Sequence, residues 1–199
     1  MVATPKGRRT EAAFHQAARQ VFAEKGFLNA KIADIAATAG RSSASFYNYY
    51  DNKRQILEAL LESFNEDVLE RTRRRLTPDP RQNVEAAVRV YFETYREYLP
   101  EMIGVFQLSM TDEQFAEWWR QRRADGIHAV LRVVRSVEKQ GVHVDLDHGV
   151  FASAIVSMME SFCWTWYANG GDRAVGTHDD EVAIETITEI FLRAMYNGR

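Results

Sequence analysis

An all-α fold is predicted by three features of the sequence. Apolar residues recur at the three- and four-residue spacing of a helix through most of the 199 residues. No stretch alternates apolar and polar residues between turn residues, as a half-buried strand does. The periodic stretches are also bounded by residue types that start or stop helices. A hydrophobic content of 46% suits an ordinary core, either in one large domain or in a small domain followed by a larger one.

The first helix is marked by Phe14, Ala17, Ala18, Val21 and Phe22 on one face, with Thr10 as its expected N-cap and Gly26 as its end. A short second helix carries Ile32, Ile35, Ala36 and Ala39 and closes at Gly40. Arg41-Ser42 then turns the chain into a third short helix, which Ser42 can cap and to which Phe46, Tyr47 and Tyr50 give bulk. Asn52 and Gln55 have the spacing of a capping box at the head of a fourth helix striped by Ile56, Leu57, Leu60, Leu61, Phe64 and Val68. Thr77-Pro78-Asp79-Pro80 cannot sit inside a helix, so a domain joint is expected there.

Beyond it come a helix over about Asn83–Leu99, stopped by Pro100, and a shorter apolar segment, Met102–Met110. Thr111 and Gln114 are spaced as a second capping box, opening a helix that runs to about Lys139 ahead of Gly141. An apolar segment from Asp147 to Asn169 ends at Gly170-Gly171, and a final helix is expected over about Asp179–Tyr196. The expected division is 1–53 for a helix-turn-helix domain, 54–76 for a connecting helix, and 77–199 for a sensing and dimerising domain.

The N-terminus lacks the apolar centre of a signal peptide, and no apolar run is long enough to span a bilayer. A cytoplasmic protein without a membrane partner is therefore expected. The single cysteine, Cys163, rules out an internal disulfide and reads as a core residue. The formal charge of −3 is unevenly spread: residues 1–53 hold eight Lys/Arg against four Asp/Glu, whereas 76–199 hold twelve against nineteen. A basic first quarter on an acidic body is the electrostatic pattern of a nucleic-acid reader with a separate second domain.

Two short helices joined by a glycine-containing turn, between longer amphipathic helices, have the proportions of a helix-turn-helix. The second of them, Ser43-Ala44-Ser45-Phe46-Tyr47-Asn48-Tyr49, begins with small hydroxyl residues and contains no acid to repel phosphate. Phe22-Ala23-Glu24-Lys25-Gly26-Phe27, Ile35-Ala36 through Ala39-Gly40, and Ser45-Phe46-Tyr47-Asn48-Tyr49-Tyr50 with Lys53 resemble the TetR family of bacterial regulators over about residues 10–57. The resemblance implies about nine helices, a homodimer formed through the last two, and repression of transcription until an effector binds.

It also implies that Tyr47 and Lys53 contact phosphate and that Ser43, Ala44, Ser45, Asn48 and Tyr49 face the groove, beside Ser42 in the turn. The chemistry suits these roles. Hydroxyls and a helix-start lysine hold phosphate, and Asn48 can pair bidentately with adenine. Tyr50 reads as core, and Tyr47 as either a phosphate contact or core. The sequence departs from the family pattern where Ala30-Lys31 opens the second helix, leaving Asn29 as a possible cap and Lys31 as a phosphate contact. It departs again at Arg41 and Ser43, as if a charge had crossed the turn. Arg41 is then either a DNA contact or a solvated arginine. Lys6-Gly7-Arg8-Arg9 is either a minor-groove arm or a flexible phosphate contact.

Residues 83–169 are rich in aromatics and methionine. Such residues form either plain core or a pocket for a small hydrophobic or aromatic effector, with Phe92, Tyr95, Phe106, Trp119, Met158 and Phe162 as the expected lining. Trp164, Trp166, Ile184, Ile187, Phe191 and Met195 are the expected dimer interface. No cofactor or catalytic residue is expected. His143, Asp145, Asp147 and His148 are the only residues that look like a metal site, and the aspartates read better as helix caps. A helical interaction module without DNA binding and, further off, a metal-binding enzyme are the competing readings.

Overall fold

A computed structural model of the chain describes residues 4–176 and 178–196. It is all-helical: the described residues form nine α-helices and no strand. In order these are α1 Pro5–Asn29, α2 Ile32–Thr38, α3 Ser43–Phe46, α4 Lys53–Arg74, α5 Pro80–Glu97, α6 Leu99–Ser109, α7 Glu113–Glu138, α8 His148–Cys163 and α9 Asp180–Tyr196. A π-helical turn, Trp164–Ala168, extends α8.

The helix stops fall largely where the sequence puts them. Gly40, Gly141, Gly170 and Gly171 all take positive φ, the region that glycine enters without a side-chain clash. Gly26 does too (φ 71°), but it breaks α1 without ending it, because the helical run resumes through Asn29. The helix starts depart more. α1 begins at Pro5, where Thr4 Oγ1 accepts from Gly7 N at 3.1 Å, and Thr10 is a buried interior residue whose hydroxyl donates to the Lys6 carbonyl. Lys6, Arg8 and Arg9 therefore belong to the first turns of a helix and do not form a loose arm. α7 is capped by Asp112, whose Oδ1 accepts from Phe115 N at 2.9 Å, while Thr111 donates back to Gln107. A carboxylate next to a helix N-terminus is the stronger cap, since it also meets the helix dipole. At the head of α4, Asn52 accepts from Gln55 N, but the Gln55 side chain accepts from Asp51 N, one residue further back than a capping box requires.

The chain forms two compact units. One takes the residues up to Phe64 together with Tyr98–Ala116, and the other takes Asn65–Glu97 and the residues from Glu117 onward. In the first unit α6 packs along α1. Its Gly104 is needed there, because a Cβ would come within 3.1 Å of Leu57 Cδ2 and 3.3 Å of Phe27 Cβ. In the second unit α5 pairs with α9 through Arg89–Glu181 (2.6 Å) and Arg96–Asp180 (2.7 Å), above a core that includes Val88, Phe92, Ile187 and Phe191.

Candidate nucleic-acid interface

Helix α3 is only four residues long, too short to hold itself together, so its position is set by its surroundings. Ser42 Oγ accepts from Ser45 N at 3.1 Å and closes the first turn. Phe46, fully buried, packs its ring edge-on against Phe14 of α1 at 5.5 Å and meets Tyr50 at 5.6 Å. Tyr50 is buried, and its hydroxyl lies 2.7 Å from His15 Nε2, so the far end of the segment is tied to α1 as well. Burial lowers the His15 pKa and raises that of Tyr50.

With Phe46 and Tyr50 facing inward, the opposite side of the segment faces solvent. Ala44, Tyr47 and Asn48 are exposed, Tyr47 at 55%, while Ser43, Ser45 and Tyr49 are half-buried. Tyr47 is thus a surface residue, as a DNA contact requires. Lys31 and Arg41 are exposed on either side of α2. Lys31 is also the N-cap residue of α2, and Asn29 instead donates to the Lys25 carbonyl. Asp34 accepts from Lys31 N at 3.2 Å and pairs with Lys25 at 2.9 Å; the Lys25 contact, followed by the Lys31 backbone, holds its carboxyl below the ordinary value. A Cβ built on Gly7 would lie 3.9 Å from Tyr49 Oη, which places the basic first turn of α1 beside the reading segment.

Lys53 occupies a different position from the one its motif suggests. Its ammonium donates to the carbonyls of Phe27, Leu28 (3.1 Å) and Ala30 (2.9 Å), and it lies 4.5 Å from the centroid of the Phe27 ring. All three ammonium protons are thereby taken, so a phosphate contact would require one of these bonds to be given up. Partial burial lowers its pKa. Lys53→Met is expected to destabilise the fold by about 2 kcal/mol, the scale of losing hydrogen bonds from a charged group, as measured by urea titration. No sequence signal points to this tie, whose acceptors lie 23 to 26 residues upstream.

The expected effector residues divide between the units. Phe92 and Tyr95 are buried, and Trp119, Met158 and Phe162 half-buried, all in the second unit, whereas Phe106 is a half-buried residue of α6 in the first. Of the expected dimer residues, Trp166, Ile184, Ile187, Phe191 and Met195 are buried inside their own chain, and Trp164 is half-buried. The buried five fill the chain's own core and are not available to a partner. An apolar stripe shows that a helix face is covered without showing by what. The outward face of α9 carries Val182 and Ile190, both 46% exposed, and that of α8 carries Val150 at 70% together with Ala154. Asp147 caps α8, accepting from Val150 N at 2.8 Å, and His148 Nε2 lies 3.3 Å from Glu138. No cluster of metal-ligating side chains occurs among the described residues, and none of their helices is long and apolar enough to cross a membrane.

A short, capped and core-anchored helix with an acid-free outer face, following α2 across a glycine turn, has the form of the second helix of a helix-turn-helix. Residues 15–60 match the pattern of bacterial regulatory proteins of the tetR family. Over most of its length the chain is similar to the HTH-type transcriptional regulator EthR of Mycolicibacterium smegmatis, at 21% identity across 97% of this chain and 93% of that one. It is similar also to the HTH-type transcriptional repressor KstR2 of Rhodococcus jostii, at 24% identity across 96% and 91%. The fold matches a solved structure described as a TetR-family regulator from Syntrophomonas wolfei, with a TM-score of 0.78, 19% identity and 94% of each chain covered. Residues 15–60 thus carry the helix-turn-helix pattern of tetR-family regulatory proteins, and the chain as a whole is similar to transcriptional regulators along nearly its full length.

Proposed function

We propose that the protein is a homodimeric repressor that binds a palindromic operator and is released from it by a small hydrophobic or aromatic effector. Residues 1–53 would read DNA, 54–76 connect, and 77–199 sense the effector and dimerise. The observation that carries the reading is the outward face of the α3 segment, where Tyr47 and Asn48 are exposed opposite the buried Phe46 and Tyr50. Ser43, Ala44, Ser45, Asn48 and Tyr49 face the groove, with Lys31, Arg41, Ser42 and Tyr47 beside them for phosphate. Lys53 acts chiefly by fixing the end of α1. The outward faces of α8 and α9, with Val150, Ala154, Val182 and Ile190, meet a second copy. The effector lodges among Phe92, Tyr95, Trp119, Met158 and Phe162. Binding of effector and of DNA oppose each other, and by linkage each weakens the other by the same factor.

Selection of duplexes from a random pool, with the enriched sites retested over a salt series, tests this. A palindrome with half-sites about 34–36 Å apart, or a multiple of that, is expected. Asn48→Ala should cost about 1–3 kcal/mol at one base pair of each half-site, while Arg41→Ala should weaken all duplexes alike and lower the salt slope by about one. No enriched site, with weak salt-independent binding, would overturn the reading and favour an interaction module.

A further inference from the structure

The hydroxyl of Tyr95 on α5 is fully buried and has no hydrogen-bond partner among the described residues. Native cores rarely leave a polar atom in that condition, because the water it gave up is not replaced. The surroundings are aromatic and flat. The Tyr167 ring stacks on that of Tyr95 at 6.2 Å with 25° between planes, and one helical turn back the Tyr91 ring lies at 5.9 Å. Tyr167 itself belongs to the π-helical turn that extends α8. Such turns are rare, and they recur at functional sites.

The charged side chain that acts on the Tyr95 hydroxyl, Glu160, is already paired. Glu160, which acts electrostatically on Tyr91 and Tyr95, is held by Arg123, whose Nε lies 2.7 and 3.0 Å from its two oxygens while another guanidinium nitrogen donates to Ser157 at 2.9 Å. An anionic headgroup brought to Tyr95 would stand beside the Glu160 carboxylate where little water screens the two. A cationic one would compete with Arg123 for the same oxygens. An uncharged oxygen meets neither obstacle, and it can accept the proton that Tyr95 has nowhere to place.

We propose that the effector is a flat, uncharged molecule bearing a hydroxyl or carbonyl oxygen, and that the Tyr95 hydroxyl recognises this oxygen while the molecule's rings replace the Tyr167 ring against Tyr95. The inference rests on the effector-binding reading above and gives that site its chemistry.

Equilibrium dialysis of the full chain against two matched series tests it. The first is 2-naphthol, naphthalene and 2-naphthoate, and the second is 9-phenanthrol, phenanthrene and phenanthrene-9-carboxylate. In at least one series the alcohol should bind about five- to tenfold tighter than the hydrocarbon, the value of one regained hydrogen bond, with the carboxylate weakest. In Tyr95→Phe the alcohol's advantage should fall to within about twofold while the hydrocarbon's affinity is kept. Ligand-free Tyr95→Phe should melt no lower than the parent, since it removes an unpaired hydroxyl. The carboxylate should gain in Glu160→Gln.

An alcohol preference that survives Tyr95→Phe, carboxylates that bind best, a lowered melting temperature for Tyr95→Phe, or no binding in either series would each overturn the proposal. Success in the duplex selection with failure here would sink only this inference. Failure of the selection would remove the regulator reading independently.

Discussion

Phe46→Ala is expected to destabilise the DNA-reading unit by about 3–5 kcal/mol, the range for truncating a fully buried phenylalanine, and to abolish duplex binding. Total stabilities of single domains are about 5–15 kcal/mol, so the loss leaves the unit marginal. The binding defect should exceed what unfolding alone explains. α3 has four residues, and besides the Ser42 cap and the distal Tyr50 anchor it is the buried Phe46 ring that ties it to α1, so removing the ring loosens the segment that carries Tyr47 and Asn48 even in molecules whose other helices persist. Ser42→Ala provides the scale for the cap alone, about 1 kcal/mol. Urea titration gives the stability of each variant, and duplex affinity in the absence of urea gives the binding. If Phe46→Ala keeps its affinity once corrected for the folded fraction, the ring is not what positions the reading face.

The helices were legible in the sequence because an apolar stripe at three- and four-residue spacing is a local property, and so were Ser42, Asp147 and the positive-φ glycines. The start of α1 was not, since Pro5–Arg9 is a polar turn with no stripe to reveal it. Thr111 and Asp112 are adjacent candidate caps, and spacing alone does not choose between them. Other failures came from long-range pairing. Lys53 carries the family's motif, yet its ammonium finds carbonyls at the end of α1. Ile184, Ile187 and Phe191 form the stripe expected of a dimer face, and α9 turns it inward. Sequence periodicity shows that a face is buried, but only the packed chain shows what covers it.

A single glutamate illustrates the same limit and carries the second large effect. Glu101 stands at the start of an apolar helix with nothing in the sequence to mark a partner. In the fold its side chain is 0% exposed, with Arg19 Nε of α1 3.0 Å from Oε1 and the Arg19 guanidinium 4.2 Å from the centroid of the Tyr98 ring. The contact pairs a buried carboxylate with a guanidinium that remains partly open to solvent. Arg19→Ala strands a carboxylate in the interior. Because Arg19 is itself 37% exposed and partly screened, the loss should lie at the lower end of the range for broken buried pairs, about 3 kcal/mol at neutral pH.

The pH dependence has a definite sign. Burial raises the folded-state pKa of Glu101 above its ordinary value, with Arg19 pulling against it. Between the unfolded and folded values the native chain therefore holds the extra proton, and stability falls as pH rises through that window. Without Arg19 the folded value climbs further, so the deficit of Arg19→Ala against the parent should be largest at neutral pH and shrink as pH drops toward the ordinary carboxylate range. Glu101→Gln, which carries no charge to strand, should flatten this dependence, and adding Arg19→Ala to it should cost less than about 1 kcal/mol. Urea titrations between pH 5 and 8 on the four members of this cycle separate the pair from the other raised carboxylates, Glu58 and Glu160, which all four share. An Arg19→Ala deficit that is independent of pH, or undiminished in the Glu101→Gln background, would mean that Arg19 stabilises the unit through its stacking on Tyr98, with the buried charge of Glu101 playing no part.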